Sequence, residues 1–132
     1  MGREKNITGK AGEAEALAFL KRKGYRILAT NFRTPFGELD AVAKRRDSII
    51  FVEVKTRITS SLGPPYLSVT RAKAHHLVKN ALYYLKRYGL VETGWRIDVV
   101  SVKMDYDHKV EHIELIENAI TTNGYDYKGV SI

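Results

Sequence analysis

The spacing of apolar residues divides the chain into helix-like and strand-like segments joined by short polar turns. Residues 9–23 carry Ala11, Ala14, Leu17, Ala18 and Leu20 at helical spacing, with Thr8 as the expected N-cap. Lys21, Arg22 and Lys23 fall where the helix dipole favours cations, and Gly24 suits the C′ position. Small alanines on the stripe imply close packing against a sheet. Residues 25–32 read as a strand and 34–37 as a turn. Residues 38–44 and 49–57 alternate with period two on either side of Arg45-Arg46-Asp47-Ser48, which predicts a hairpin. A second helix is predicted over residues 69–88, with Val69, Ala72, Val78, Ala81, Leu82 and Leu85 on its apolar side and Gly89 ending it. Two more strands follow at 95–103 and 110–117. Residues 1–7 read as a loose arm, 58–68 as an irregular loop and 121–132 as a tail. The order α-β-β-β-α-β-β predicts one α/β domain over residues 8–120, a three-layer α-β-α fold around a mixed sheet of about five strands.

The hairpin carries a geometric consequence. Side chains alternate faces along a strand, so Leu39, Ala41 and Ala43 share a face, as do Ile50, Val52 and Val54. Burying both sets together requires a turn centred on Arg46 and Asp47. That register opposes Ala43 to Ile50, Ala41 to Val52 and Leu39 to Val54. On the other face it opposes Val42 to Phe51, Asp40 to Glu53 and Glu38 to Lys55. Opposed Cβ atoms lie about 4.5–5.5 Å apart. Two carboxylates at that distance repel and raise a pKa unless a cation sits between them. A hard ion such as Mg²⁺ prefers carboxylate and water oxygens and would fill that place. Lys55 points the same way as Glu53 and could hold a phosphate oxygen or orient a water. The competing reading is a solvated face, although such a face would favour cross-strand salt bridges over an acid pair.

Composition narrows the chemistry. The 132 residues carry 22 Lys+Arg against 15 Asp+Glu, a formal charge of +7, which favours a polyanionic partner. There is no cysteine, so a thiol nucleophile, a disulfide framework and cysteine-ligated zinc are excluded. No apolar run approaches the roughly 18 residues of a membrane span, and charges at the start lead into no signal-like segment. A cytoplasmic protein with no membrane partner is expected.

Asp40, 12 intervening residues and Glu53-Val54-Lys55 resemble the Asp…Glu-x-Lys motif of restriction-endonuclease-like nucleases. Residues 9–16, Gly37-Glu38-Leu39-Asp40, residues 51–57, residues 69–73 and Arg96-Ile97-Asp98-Val99-Val100 together resemble the YraN-type bacterial family. Its members are regarded as predicted nucleases akin to archaeal Holliday-junction resolvases. The resemblance spans about residues 9 to 120. It implies a restriction-endonuclease-like fold and an endonuclease that hydrolyses phosphodiester bonds in DNA, branched or damaged DNA in particular, with Mg²⁺ or Mn²⁺. DNA ranks ahead of RNA as the substrate, and a homodimer follows by analogy with resolvases. It also implies that Asp40, Glu53 and the Val54 carbonyl ligate metal, that Lys55 contacts the scissile phosphate or the attacking water, and that Glu13 stands near the metal. Lys73 stands where related nucleases carry a supporting Lys or Gln. The alternative is a non-catalytic nucleic-acid-binding module with a degenerate site.

Arg71, His75 and Lys79 recur at helical spacing and could follow a phosphate backbone, against the reading of a solvated helix face. Arg57 and Lys73 join Arg71 and Lys79 as the expected nucleic-acid contacts. Glu13 and Glu15 cannot both face the site, and Glu13 is favoured. His75-His76 is a weak catalytic candidate. Asp98 reads as a structural ion-pair residue. Tyr66, Tyr83, Tyr84 and Tyr88 read as half-buried core residues or as base-stacking groups. Residues 60–68, following Lys55 closely, could clamp substrate.

Overall fold

The computed structural model describes residues 3–58 and 70–120, with side chains described from Thr8 onward. The elements are α1 (Arg3–Arg22), β1 (Arg26–Thr34), β2 (Gly37–Arg45), β3 (Ser48–Ile58), α2 (Arg71–Arg87), β4 (Trp95–Met104) and β5 (Val110–Ile120). They form one five-stranded sheet in the order β1-β2-β3-β4-β5. β1, β2 and β3 are antiparallel, β4 runs parallel to β3, and β5 returns antiparallel to β4. α2 makes the crossover that a parallel pair requires. This is the expected mixed α/β architecture in the expected element order.

Two cores lie on opposite faces of the sheet. Under α1, Ala16 and Leu20 meet Ala41, Ala43, Ile50, Val52, Val100, Val102 and Met104. Under α2, Ala74, Leu77, Val78, Ala81 and Leu85 meet Val42, Phe51, Ile97 and Val99. The sequence register gave the hairpin one apolar face. In the structure both faces are covered, because Val42 and Phe51, on the face assigned to the carboxylates, are fully buried.

The helices differ from expectation in where they start and which stripe they bury. α1 begins at Arg3, taking in residues read as an arm, so Thr8 lies inside the helix rather than capping it. Its covered stripe is Gly12, Ala16 and Leu20, while Ala14 and Ala18 are exposed. Gly24 does end the helix with φ of 93°, and the Tyr25 amide closes back onto Leu20 O. On α2, Thr70 is the N-cap, its hydroxyl accepting from the Lys73 amide. Ala72 and Leu82 face solvent rather than the core, and the stripe is shifted to Ala74, Leu77, Val78, Ala81, Tyr84 and Leu85. Both stripes were drawn from apolarity alone, whereas the sheet selects the face that approaches it. Val69, Tyr66, the 60–68 loop and the 121–132 tail lie outside the described residues.

Gly12 sets how closely α1 approaches β3. A Cβ built there would lie 1.9 Å from Thr56 Oγ1 and 2.8 Å from Thr56 Cβ, so no rotation of Thr56 relieves the clash. Gly12→Ala should cost about 1–2 kcal/mol in denaturant unfolding, because overpacking outweighs the roughly 1 kcal/mol helix-propensity gain. An Ala variant as stable as the parent would show that α1 is free to shift outward.

Candidate active site

The hairpin holds its expected register as far as Ala41. Ala43 pairs with Ile50, Val42 with Phe51 and Ala41 with Val52, about the turn at Arg46 and Asp47. At Asp40 the regular pairing stops. The Asp40 carboxylate instead accepts a hydrogen bond from the Val54 amide at 2.8 Å, taking a donor that a continued ladder would use. The same point of the sheet is irregular in β1. Thr30 pairs with Ala41 and Phe32 with Leu39, while Asn31 between them adopts φ of 49°. This irregularity corrects one expectation. Leu39 does not join Ala41 and Ala43 under α1 but crosses to the α2 core with Val42.

These distortions aim polar groups at one place. Asn31 donates to Glu13 Oε1 at 3.1 Å, which ties the α1 glutamate to β1. Glu53 is only 4% exposed although it is charged. Its Oε2 lies 3.1 Å from Lys73 Nζ and 3.5 Å from Lys55 Nζ. Lys73 reaches it from the first turn of α2, which the Thr70 cap positions. Burial, then the charge of Glu53, raise the Asp40 pKa to about 8, and Glu13 adds to this against the Val54 hydrogen bond. Asp40, Glu53, Glu13, Val54 and Lys55 line one cleft of about 730 Å³. Thr8, Gly9, Thr56 and Ile58 complete its walls, with Tyr106 and His108 from the turn after β4. The cleft therefore runs along the carboxyl-terminal half of β3 and reaches the turn past the end of β4.

The sequence-derived residues divide accordingly. Asp40, Glu53, Val54, Lys55 and Glu13 are brought together, and Lys73 joins them through Glu53. Arg57, Arg71 and Lys79 are not among the cleft residues. Arg71 and Lys79 are exposed on α2, and the Lys79 ammonium lies over Phe36. Glu15 is exposed, and neither His75 nor His76 lines the cleft. Tyr84 is core, packed edge-on to Phe32 and Phe51. Asp98 is fully buried in an ion pair with Arg96. Sequence reasoning missed Asn31 and Tyr106. A positive φ at Asn31 has no strong local signal. Tyr106 carried one, as the aromatic residue of an otherwise polar turn.

The donors suit a hard cation. Two carboxylates crowd together, one holding its proton unusually tightly, and a main-chain carbonyl from Val54 is the further oxygen implied by the motif. Among the described residues no three His, Cys, Asp or Glu side chains gather into a ready-made cage. An ion would rest on two carboxylates, the main chain and water, the mixture that suits Mg²⁺.

The sequence profile of the uncharacterised protein family UPF0102 matches residues 12–102. A UPF0102 protein of Caldicellulosiruptor saccharolyticus is 43% identical over 115 residues, covering 87% of this chain and 98% of the relative. One from Thermodesulfovibrio yellowstonii is 46% identical over 106 residues, covering 80% and 91%. Among solved structures, that of Pyrococcus furiosus SfsA in complex with Ca²⁺ is 18% identical with a TM-score of 0.39. That alignment covers 86% of this chain and 63% of SfsA, a likeness too distant to bear on function. No helix among the described residues is long and apolar enough to cross a membrane.

Proposed function

The chain belongs to the uncharacterised protein family UPF0102, and we propose that it is a metal-dependent endonuclease that hydrolyses phosphodiester bonds in DNA. The observation that carries this reading is an acid pair, half-buried Asp40 and buried Glu53, sharing a cleft with Lys55 in a protein of net charge +7. An acidic pair is costly to hold inside a basic domain and needs a chemical reason. Asp40, Glu53 and the Val54 carbonyl would hold Mg²⁺ or Mn²⁺. Such an ion supplies a nucleophilic water near neutral pH and Lewis-acid stabilisation of the developing phosphorane charge.

The chain's own groups do the rest. Lys55, one quarter exposed in its side chain, can leave Glu53 for a non-bridging phosphate oxygen. Lys73 keeps its ammonium on Glu53 and fixes that carboxylate's orientation. Glu13, oriented by Asn31, is placed to accept a proton or hold a water at the cleft's α1 wall. Arg71 and Lys79 supply distant, salt-dependent attraction to the backbone.

One observation favours a second reading. Glu53 already has two ammonium partners, so its charge can be balanced without a metal. A binding module with a lapsed site would behave that way. The two readings separate on incubation with branched, flapped and single-stranded DNA plus Mg²⁺ or Mn²⁺. The nuclease reading expects cleavage that EDTA stops and that both Glu53→Ala and Lys55→Ala reduce by about 100-fold or more. Cleavage surviving both substitutions would belong to a contaminant. Salt-dependent binding indifferent to metal and to Asp40→Asn, with no cleavage, would establish the binding module.

A further inference from the structure

The turn from Asp105 to Lys109 contributes a second kind of surface to the cleft. Tyr106 is 79% exposed, more than any other exposed large apolar side chain among the described residues. The other exposed aromatic residues are partly covered. Phe36 lies under Lys79, and Tyr88 packs against Tyr84 and Phe32. Tyr106 has no ring or cation neighbour among the described residues.

Its backbone is nevertheless held firmly. Asp105 Oδ1 accepts from the amides of Asp107 at 2.8 Å and Lys109 at 2.9 Å. The Asp105 amide donates to Lys109 O, and the His108 amide donates to Asp105 O. His108, at φ of 63°, brings Nε2 within 3.2 Å of Thr8 Oγ1. This joins the turn to α1, the helix that carries Glu13. The ring is therefore presented on a braced turn at the wall of the cleft that holds Lys55, Asp40 and Glu53. Parallel pairing fixes the direction. Lys55 is level with Ser101 and Ile58 with Met104, so Tyr106 lies beyond Lys55 along the strands, on the order of 15 Å away.

We infer that Tyr106 is a stacking platform for an unpaired nucleobase, and that the cleft takes single-stranded or locally unpaired nucleic acid in preference to continuous duplex. This rests on the nuclease reading of the same cleft and names its substrate class. An aromatic face gains about 1–3 kcal/mol by stacking on a base, with little regard to base identity. A base inside intact duplex is already stacked on both sides and offers no face. A braced turn also gives up little further entropy when the base docks.

The test is equilibrium binding of fluorescein-labelled DNA to the full chain, with Ca²⁺ replacing Mg²⁺ to hold back cleavage. Wild type, Tyr106→Ala and Tyr106→Phe are compared on a single strand, the same strand with abasic sites, and the paired duplex. Tyr106→Ala should weaken single-strand binding about 5- to 100-fold. Tyr106→Phe should stay within about twofold of wild type, since the ring remains. The abasic strand should bind wild type and Tyr106→Ala alike, and so should the duplex. Tyr106 is exposed and buries no core surface, so the fold survives both changes. Equal single-strand binding by wild type and Tyr106→Ala, or an equal loss on abasic and normal strands, overturns the inference and leaves the nuclease reading standing. If wild type neither binds nor cuts any of these DNAs, the nuclease reading falls and this inference with it.

Discussion

Asp40→Asn is expected to make the metal-free protein more stable at pH 8 to 9 while sharply reducing cleavage and the response to Mg²⁺. The cause is the crowding of Asp40. Burial, then the Glu53 charge, raise its carboxyl to about 8 from an ordinary 3.8. The folded chain thus holds this proton more tightly than the unfolded chain, and the stability it contributes is complete below about pH 4. It is lost progressively as pH rises to about 8, and above that the full cost remains. Asparagine carries no charge and keeps an oxygen to accept from the Val54 amide, now made by Asp40 at 2.8 Å. In EDTA the variant should gain about 2–4 kcal/mol over wild type at pH 9, less than the whole shift implies because solvent reaches part of the carboxyl. The gap should shrink towards pH 4. With Mg²⁺ at pH 8 the order of response reverses. Wild type should gain thermal stability as the ion fills the acidic pair, the variant should gain little, and its cleavage should fall about 1,000-fold. Equal Mg²⁺-induced melting shifts for the two proteins would remove Asp40 from the proposed ligands.

The second large effect lies away from the cleft. Asp98→Ala should cost about 3–5 kcal/mol in denaturant unfolding, a large share of the stability of a domain this size. Asp98 is fully buried on β4 and serves several donors at once. Its Oδ1 accepts from Arg96 Nε at 2.9 Å and from the Asn118 amide at 2.8 Å. Its Oδ2 accepts from the Tyr25 hydroxyl and Arg96 Nη2, both at 3.3 Å. Asn118 has φ of 50° where the β4–β5 register shifts. Asp98 thus satisfies an amide that the irregular ladder leaves over, and it links β5 to the start of β1 through Tyr25. Truncation would leave the Tyr25 hydroxyl proton and the Asn118 amide without their acceptor and leave Arg96 with only Glu117 as a charged partner, and each buried donor left without a partner is expensive. Asp98→Asn keeps an acceptor for Asn118 and should cost less than half as much. A loss below about 1 kcal/mol for Asp98→Ala would mean that water replaces the carboxylate fully.

Some of this was legible without coordinates. The hairpin register followed from alternation and a short turn, both local properties, and Ala41, Val42 and Ala43 pair with Val52, Phe51 and Ile50 as expected. Gly24 as a helix end, and Asp98 as an ion-pair residue in an apolar strand, rest on equally local signals. The helix faces were less legible. Ala14, Ala18, Ala72 and Leu82 are apolar enough for a core but face water, because a helix shows the sequence several similar stripes and only the sheet chooses one.

What the sequence determined by itself is the order of the elements, the hairpin and the placing of Asp40, Glu53 and Lys55 near its end. Neighbours along the chain interact at little loop-closure cost, so their pattern is written locally. What only the tertiary structure decided is how that motif becomes a cleft. Parallel pairing of β3 with β4 carries Tyr106 to the rim, α1 and Asn31 bring Glu13, and the first turn of α2 brings Lys73 to Glu53. The carboxylate pair itself sits where regular pairing ends, with Asp40 binding the Val54 amide. Each of these depends on residues far apart in the chain packing against a common sheet, and no short-range periodicity specifies such a meeting.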